Sequence, residues 1–203
     1  MDADGGIVIA AVVLAAGLSS RMGRNKLLIP MADERTMIAH AVDAAIDGGL
    51  GPVVVVTGHQ AEKIETALEG RAVRFVRNDR FADGMAGSVK TGIAALPSEV
   101  NAAMIFLGDM PGVTADHVRR LAIAFNPGDG GIRIPTREGK RGHPVLFDRR
   151  FFAEIAAMPE DVGLRAVVAA HPDAIRTVPM DDDAVLADLD TEAALAAALA
   201  ETA

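Results

Sequence analysis

The feature that most constrains the fold of this chain is the alternation of short apolar runs with segments of helical periodicity. Residues 7–14 are all apolar, which is typical of a strand covered on both faces of a parallel sheet. Similar runs lie at residues 53–57, 72–76 and 102–107, with helical segments such as 37–46 and 61–68 between them. Because strand–helix–strand repeats form right-handed crossovers, the pattern predicts one α/β domain with a doubly wound, mostly parallel sheet.

The second half of the chain is less regular. Residues 126–131 form a turn cluster, and the polar residues 135–141 predict a hairpin-like excursion. Two short helices, a late strand and a terminal helix that begins at Thr191 are predicted at residues 148–158, 162–170, 174–178 and 191–200. Neither an internal repeat nor a disordered linker is evident, so residues 1–203 are predicted to form one domain.

Composition excludes several functional classes. The chain has a net charge of −8, no Trp or Tyr and seven Phe, so it lacks the basic and aromatic surface that nucleic-acid binding requires. It has no cysteine, which excludes disulfides, thiolate metal sites and a cysteine nucleophile. The acidic opening is unlike a secretory signal, and the first apolar run is shorter than a bilayer span. We therefore expect a cytoplasmic protein with no nucleic-acid or membrane partner.

The segment after the first strand carries the strongest chemical signal. Gly17 and Gly23 allow tight turns that present N–H groups to anionic oxygens, and Arg21 and Lys26 can bind a triphosphate. The spacing matches neither the dinucleotide fingerprint nor the Walker A loop. Taken alone, the segment is also compatible with a strand-to-loop turn that carries two solvated basic residues.

Further candidates follow other predicted strands. Asp109 comes directly after residues 102–107, where a carboxylate can bind Mg²⁺ against substrate phosphates, although an aspartate before Pro111 is also a common turn residue. His143 enters a short apolar strand, and a lone histidine is more often structural than catalytic. Asp188 and Asp190 precede the last helix and are equally consistent with an acidic helix start.

Glycines mark two further strand-to-helix connections. Gly84, Gly87 and Ser88 lie where the third strand leads into a helix, so they are placed either to contact a ligand or to begin that helix. Gly58 follows the second strand and either borders the nucleotide or forms an ordinary turn.

Four ordered motifs resemble the MobA-like nucleotidyltransferases, the family that attaches a nucleotide to the molybdenum cofactor. The first is L-A-A-G-x-S-x-R-M-G-x-x-K at residues 14–26, and the second is G-D-x-P at residues 108–111. The third is G-H-P-V at residues 142–145, and the fourth resembles D-x-D-T-P-E-D from residue 188, although Glu192 and Ala193 replace the usual proline and acid. Within the family the resemblance is greatest to the cytidylyltransferases, whose L-A-A-G replaces the L-A-G-G of guanylyltransferases.

The resemblance implies a Rossmann-like nucleotide-diphospho-sugar transferase fold, with a nucleotide-binding half at about residues 7–110 and an acceptor-binding half at about 111–203. It implies catalytic roles for Arg21, Lys26 and Asp109, and Mg²⁺ ligands at Asp109 and Asp190, with Asp188 as the alternative to Asp190. It places Gly142, His143 and Pro144 on the acceptor side. The implied nucleotide-binding residues are Leu14, Ala15, Ala16, Gly17, Ser19, Arg21, Met22, Gly23, Lys26, Gly58, Gly87 and Ser88.

The implied reaction is transfer of CMP from CTP to the molybdenum cofactor, with loss of pyrophosphate, in service of a molybdenum hydroxylase-type enzyme. Three alternatives remain at this stage. The first is a related transferase that uses GTP or a sugar or alcohol phosphate, and the second is a carrier that binds the molybdenum cofactor without turnover. The third is an oxidoreductase on the same fold, for which the sequence contains no nicotinamide or flavin fingerprint.

Overall fold

The computed structural model describes residues 6–18 and 24–189. Its strands are β1 (Ile9–Ala15), β2 (Val53–Thr57), β3 (Arg74–Arg77), β4 (Ala102–Leu107), β5 (Ile132–Arg137), β6 (Lys140–Arg141), β7 (Val145–Asp148) and β8 (Ile175–Pro179). Its helices are α1 (Met37–Asp47), α2 (Ala61–Ala67), α3 (Met85–Ala94), α4 (Ala115–Ile123), α5 (Phe152–Ala157) and α6 (Leu164–Ala170). None of these helices combines the length and the apolarity needed to cross a bilayer.

The strands form one mixed sheet in the order β3-β2-β1-β4-β7-β5-β6, and β8 pairs with β5. β1 pairs in parallel with both β2 and β4, whereas β7 is antiparallel to β4 and β5, and β6 is antiparallel to β5. The predicted doubly wound, mostly parallel α/β fold is therefore confirmed. The insertion of β7 between β4 and β5 was not predicted, because the order of strands in a sheet depends on pairing between distant segments.

Alternate side chains of the central strands pack on opposite faces of the sheet. On one face, Ala11 and Val13 of β1 belong to the apolar cluster that includes residues of α1, α2 and α4. On the other, Val12 and Leu14 belong to the cluster that includes residues of α3, α5 and α6. All four side chains are at most 9% exposed. Burial on both faces explains why the first apolar run lacks polar alternation.

The structure confirms most predicted elements of the second half with shifted boundaries. The excursion is the β5–β6 hairpin, whose turn residues Glu138 and Gly139 have φ of 51° and 78°. The helix predicted from residue 148 begins with a 3₁₀ turn at Arg149–Phe151, and only Phe152–Ala157 is α-helical. The late strand is β8, while the predicted terminal helix 191–200 lies outside the described residues.

Candidate functional site

The site lies where the order in which strands are added to the sheet reverses. From β1 the chain adds β2 and then β3 on one side, whereas β4 lies on the other side of β1. In doubly wound sheets, ligands bind at such a switch point, outside the carboxyl ends of the two strands that flank it. The loop after β1 and the loop after β4 meet here, and Gly108 N–H donates to the Leu14 carbonyl at 3.1 Å. The sheet topology therefore brings the first and second sequence motifs together.

Lys26 and Asp109 form an ion pair at this switch point. Lys26 Nζ donates to Asp109 Oδ2 at 2.6 Å, although the residues are 83 positions apart in the chain. The two side chains are 12% and 19% exposed, so the pair is mostly shielded but remains accessible from one side. A lysine ammonium beside a carboxylate at the end of a strand supplies both a phosphate-binding cation and an oxygen ligand for a divalent metal.

Asn25 fixes the backbone that carries Lys26. Its Oδ1 accepts the Leu27 N–H at 3.2 Å, which begins the 3₁₀ turn Lys26–Leu28. Leu27 is buried in the core, so the turn is anchored on one side by packing and on the other by the cap. Sequence reasoning did not single out Asn25, although an asparagine that precedes a short helical turn is a known capping signal.

The loop after β1 is backed by the loop after β2. Ala15 and Ala16 are 1% and 4% exposed, whereas Gly17 and Leu18 are exposed. His59 N–H donates to the Ala16 carbonyl at 3.2 Å. A Cβ added to Gly58 would lie 2.7 Å from the Phe81 Cβ and 2.9 Å from the Ala16 Cβ. Gly58 is buried, so its missing side chain is required for packing behind the loop that was predicted to bind the nucleotide.

Ser88 and Gly87 lie in the first turn of α3, next to the loop after β3. Ser88 is 4% exposed, and its Oγ accepts from Asn78 Nδ2 at 3.0 Å. Asn78, also buried, donates its backbone N–H to the Thr57 carbonyl, which ties α3 to the end of β2. Gly87 is half-buried, and a Cβ there would approach Glu160 Oε2 at 3.4 Å. The buried Ser88 hydroxyl thus stabilises the loop, and sequence reasoning missed its partner Asn78.

The predicted acceptor-side residues connect the β5–β6 hairpin to β7. Gly142 and Pro144 are buried, His143 is half-buried, and the His143–Pro144 peptide is cis. A Cβ on Gly142 would collide with the Val185 carbonyl oxygen, which accepts the His143 N–H at 2.9 Å. Gly142 is therefore required for the close approach of the chain around Val185.

Burial lowers the pKa of the His143 imidazole below its usual range. The negative charges of Asp109 and Asp188 act in the opposite direction, and the Arg165 guanidinium adds to the lowering. The neutral imidazole is therefore the dominant form at pH 7. The Asp109 carboxylate acts on the pKa of the His143 imidazole, which indicates that the third motif lies near the second.

Residues 180–189, which we call the crossing segment, join the acceptor side to Asp109. Leu189 N–H donates to the Asp109 carbonyl at 3.1 Å, and Val185 accepts from His143. The segment is held from α4, where Arg120 donates to Asp181 Oδ2 at 2.6 Å and His117 Nε2 lies 3.2 Å from Asp182 Oδ2. Asp188 is exposed, and it precedes the residue that contacts Asp109.

Several predicted site residues lie outside the described part of the chain: Ser19, Arg21, Met22, Gly23 and Asp190. Residues 6–18 and 24–189 contain no cluster of three or more metal-ligating side chains. Mg²⁺ needs only one or two carboxylates when phosphates and water complete its shell, and Asp109 supplies one at the strand end. The donor chemistry of the described residues is compatible with Mg²⁺ bound together with a triphosphate.

Known proteins and one known family resemble this chain over most of its length. Residues 11–175 match the model of the MobA-like NTP transferase domain. Nicotine blue oxidoreductase from Paenarthrobacter nicotinovorans is 29% identical over 191 residues, which cover 90% of this chain and 92% of that protein. Molybdenum cofactor cytidylyltransferase from Escherichia coli (strain K12) is 26% identical over 184 residues, which cover 90% of this chain and 91% of that protein.

Solved structures show the same architecture. A nucleotidyl transferase from Methanothermobacter thermautotroptrophicus (Mth528) superposes with a TM-score of 0.83 at 25% identity, covering 97% of this chain and 98% of that one. Rv0371c from Mycobacterium tuberculosis H37Rv, in complex with manganese, has a TM-score of 0.77 at 27% identity, covering 96% and 99%. The family and the fold support an enzyme of the nucleotidyltransferase type. The chain belongs to the MobA-like NTP transferase family.

Proposed function

We propose that the protein transfers CMP from CTP to the molybdenum cofactor and releases pyrophosphate. The observation that carries this proposal is the Lys26–Asp109 pair, 2.6 Å between Nζ and Oδ2, at the switch point between β1 and β4. It joins a cation suited to phosphates and a carboxylate suited to Mg²⁺ in one mostly shielded place. The similarity to molybdenum cofactor cytidylyltransferase over 90% of this chain supports the choice of acceptor.

The reaction needs little covalent chemistry from the protein. A terminal phosphate oxygen of the cofactor attacks the α-phosphorus of CTP in line, the bond to the bridging oxygen of the β-phosphate breaks, and pyrophosphate leaves. The attacking phosphate is already ionised at neutral pH, so no general base is required. Catalysis then depends on positioning and on charge neutralisation, as is usual for phosphoryl and nucleotidyl transfer.

Lys26 is proposed to bind the pyrophosphate portion of CTP, because its ammonium lies beside Asp109 at the carboxyl end of β4. Arg21 would add a second cation to the same oxygens. Asp109 and Asp190 would hold Mg²⁺, with Asp188 as the alternative to Asp190. When bound, the metal supplies positive charge to the phosphate oxygens and orients them.

His143 is proposed to line the acceptor side without acting as a base. Its pKa is lowered mainly by burial, so the imidazole is neutral at pH 7 and can donate one hydrogen bond to the acceptor. Its backbone N–H is already committed to the Val185 carbonyl, which fixes the position of the ring relative to Asp109.

The preference for CTP rests on Ala16, which stands where guanylyltransferases of the family have glycine. The Ala16 side chain is 4% exposed, and its Cβ faces the Cα of Gly58. The methyl group therefore acts by setting how closely the loop after β2 approaches the loop after β1. A glycine at this position would leave more room for a purine, so the methyl group of Ala16 favours a pyrimidine.

A second candidate is an oxidoreductase, because nicotine blue oxidoreductase is 29% identical over 90% of this chain. The sequence feature that separates the two candidates is the pairing of Lys26 with Asp109, which serves phosphate and metal binding and has no role in hydride transfer. A nicotinamide-dependent activity would instead be detected as oxidation of NADH or NADPH in the absence of any NTP.

The test is pyrophosphate release by the purified protein with Mg²⁺, molybdenum cofactor and either CTP or GTP. We expect release with CTP, and loss of about 100-fold or more in kcat for Asp109→Asn. Asp116→Asn is the matched control, because this exposed aspartate of α4 makes only a 3.9 Å ion pair with Arg119.

Each other outcome names a different function. Release only with GTP would reassign the base, and release only with another phosphorylated acceptor would reassign the substrate. Binding of the molybdenum cofactor without release would indicate a carrier. If CMP transfer is observed, a molybdenum hydroxylase-type enzyme in the cytoplasm is the expected recipient of the product.

A further inference from the structure

A cavity of about 220 Å³ lies between the β5–β6 hairpin and the crossing segment. It is lined by Arg137, Glu138, Lys140, Asp183, Leu186 and Ala187. Because β5 runs parallel to β1, its last residue Arg137 lies at the same edge of the sheet as Asp109. The volume is below the roughly 300 Å³ of pockets that enclose a whole drug-sized ligand, so the cavity fits part of a substrate.

Arg137 has unused hydrogen-bonding capacity in this cavity. Its Nε is buried and has no hydrogen-bond partner among the described residues. Asp183 Oδ1 lies 3.4 Å from that nitrogen and Glu138 Oε1 lies 3.8 Å from Nη2, so both are ion pairs without hydrogen-bond geometry. A buried N–H without an acceptor is costly, and a ligand oxygen that replaces the distant carboxylate would satisfy it.

The lining combines hydrogen-bond donors, acceptors and an apolar wall. Arg137 and Lys140 only donate, the carboxylates of Glu138 and Asp183 only accept, and Leu186 with Ala187 supplies apolar surface. A bare anion would be repelled by the two carboxylates. A flat heterocycle with a keto oxygen at one edge and N–H and amino donors at another matches all three properties, because the arginine donates to the oxygen, the carboxylates accept from the donors and the apolar wall covers the ring face.

The cavity lies close to Asp109 along the crossing segment. Ala187 lines the cavity, and Leu189, two residues later, donates its N–H to the Asp109 carbonyl. Two residues span at most about 7 Å. The cavity and Asp109 are therefore neighbours along the crossing segment, so one substrate can reach both.

We propose that this cavity is the subsite for the amino-keto ring of the acceptor, with Arg137 as the residue that donates to its keto oxygen. This inference rests on the proposed function, in which the acceptor is a pterin that carries a phosphate. Arg137 thereby determines acceptor specificity and has no part in binding the nucleotide.

The probe is pterin-6-carboxylate, a fluorescent pterin without a phosphate, titrated into the protein without NTP or metal. We expect the wild-type protein to bind it, and Arg137→Gln to raise the dissociation constant about tenfold or more. Arg137→Lys keeps the charge and loses the planar fork, so it should weaken binding similarly. Arg119→Gln is the matched control, since Arg119 is an exposed arginine of α4 that contacts Asp116 and the Asp47 carbonyl and does not line the cavity, and this variant should bind within twofold of wild type.

Absence of binding to the wild-type protein, or equal binding by the Arg137 variants and Arg119→Gln, would overturn the subsite. GMP presents the same amino-keto edge on a purine, and equally tight displacement of the probe by GMP would overturn the assignment to the acceptor. Pyrophosphate release separates this inference from the proposed function. Pterin binding through Arg137 without CTP-dependent release would reject the function alone, whereas release with an unchanged acceptor KM in Arg137→Lys would reject the subsite alone.

Discussion

The Lys26–Asp109 pair should stabilise the fold and support activity to different extents, and a double-mutant cycle can separate the two effects. The cycle uses Lys26→Gln, Asp109→Asn and the double variant, all close in size to the native residues. Each single change removes the pair, and the coupling energy of the cycle excludes whatever else either side chain contacts.

The magnitude follows from the geometry. At 2.6 Å, with an effective dielectric constant of about 20, the gross attraction is about 6 kcal/mol. Desolvation of side chains that are 12% and 19% exposed opposes most of it. Exposed pairs contribute at most about 1 kcal/mol, and loss of one partner of a buried pair costs about 3 to 5 kcal/mol. We therefore expect a coupling free energy of unfolding of about 2 kcal/mol.

Urea unfolding at pH 7 without Mg²⁺ or NTP measures this coupling. The control cycle is Arg77→Gln with Glu62→Gln, whose 3.1 Å pair is 54% and 76% exposed and should couple by less than about 1 kcal/mol. In the pyrophosphate assay the double variant should be as inactive as either single variant. Removing the second charge restores part of the free energy of unfolding, but it does not restore the cation or the metal ligand that the reaction needs. Equal coupling in the two cycles, or wild-type turnover by Lys26→Gln, would refute the reasoning.

Three further changes test other parts of the structure by urea unfolding. Gly142→Ala should lower the free energy of unfolding by about 2 to 3 kcal/mol, because the new methyl group collides with the Val185 carbonyl. In the control Gly128→Ala the methyl group meets only an ordinary 3.6 Å contact, so the free energy of unfolding should change by less than about 0.5 kcal/mol. Ser88→Ala should cost about 1 to 2 kcal/mol, because a buried amide loses its acceptor. Burial acts to raise the pKa of Asp43, but hydrogen bonds from two arginines outweigh it and the pKa is lowered. Asp43→Asn should therefore lower the free energy of unfolding at pH 7, which is above the unfolded-state pKa, and this loss should shrink as the pH falls through the folded-state pKa. A loss that does not depend on pH would contradict this.

The sequence allowed the parallel part of the sheet to be predicted, together with the strand ends that precede Lys26 and Asp109. The strands β2 and β4 have the predicted bounds because a continuous apolar run ends where polar turn residues begin. Lys26 and Asp109 meet because parallel strands end at one edge of the sheet, and this follows once both are placed after strands. Local periodicity and the doubly wound topology were sufficient for these predictions.

Contacts between distant segments were beyond that reasoning. The pairing of β7 with β4 and β5 depends on which edges are available after the parallel strands have assembled. Asn78 was missed because an asparagine after a strand resembles an ordinary turn, and only the packed loops show that it bonds Ser88. Gly58 was expected to border the nucleotide, and its packing against Phe81 depends on two loops that the sequence does not align.

The hydrogen bonds of the crossing segment have a consequence for chimeric enzymes. If the two halves of the chain acted independently, a fusion of residues 7–110 from this chain with the second half of a relative would exchange the acceptor preference. Here the crossing segment accepts the His143 N–H and also donates to the Asp109 carbonyl, so the grafted half would supply a hydrogen bond to the backbone of the native Asp109. The segment transferred in such a graft therefore has to include both the crossing segment and α4, because Arg120 and His117 of α4 contact the crossing segment at Asp181 and Asp182.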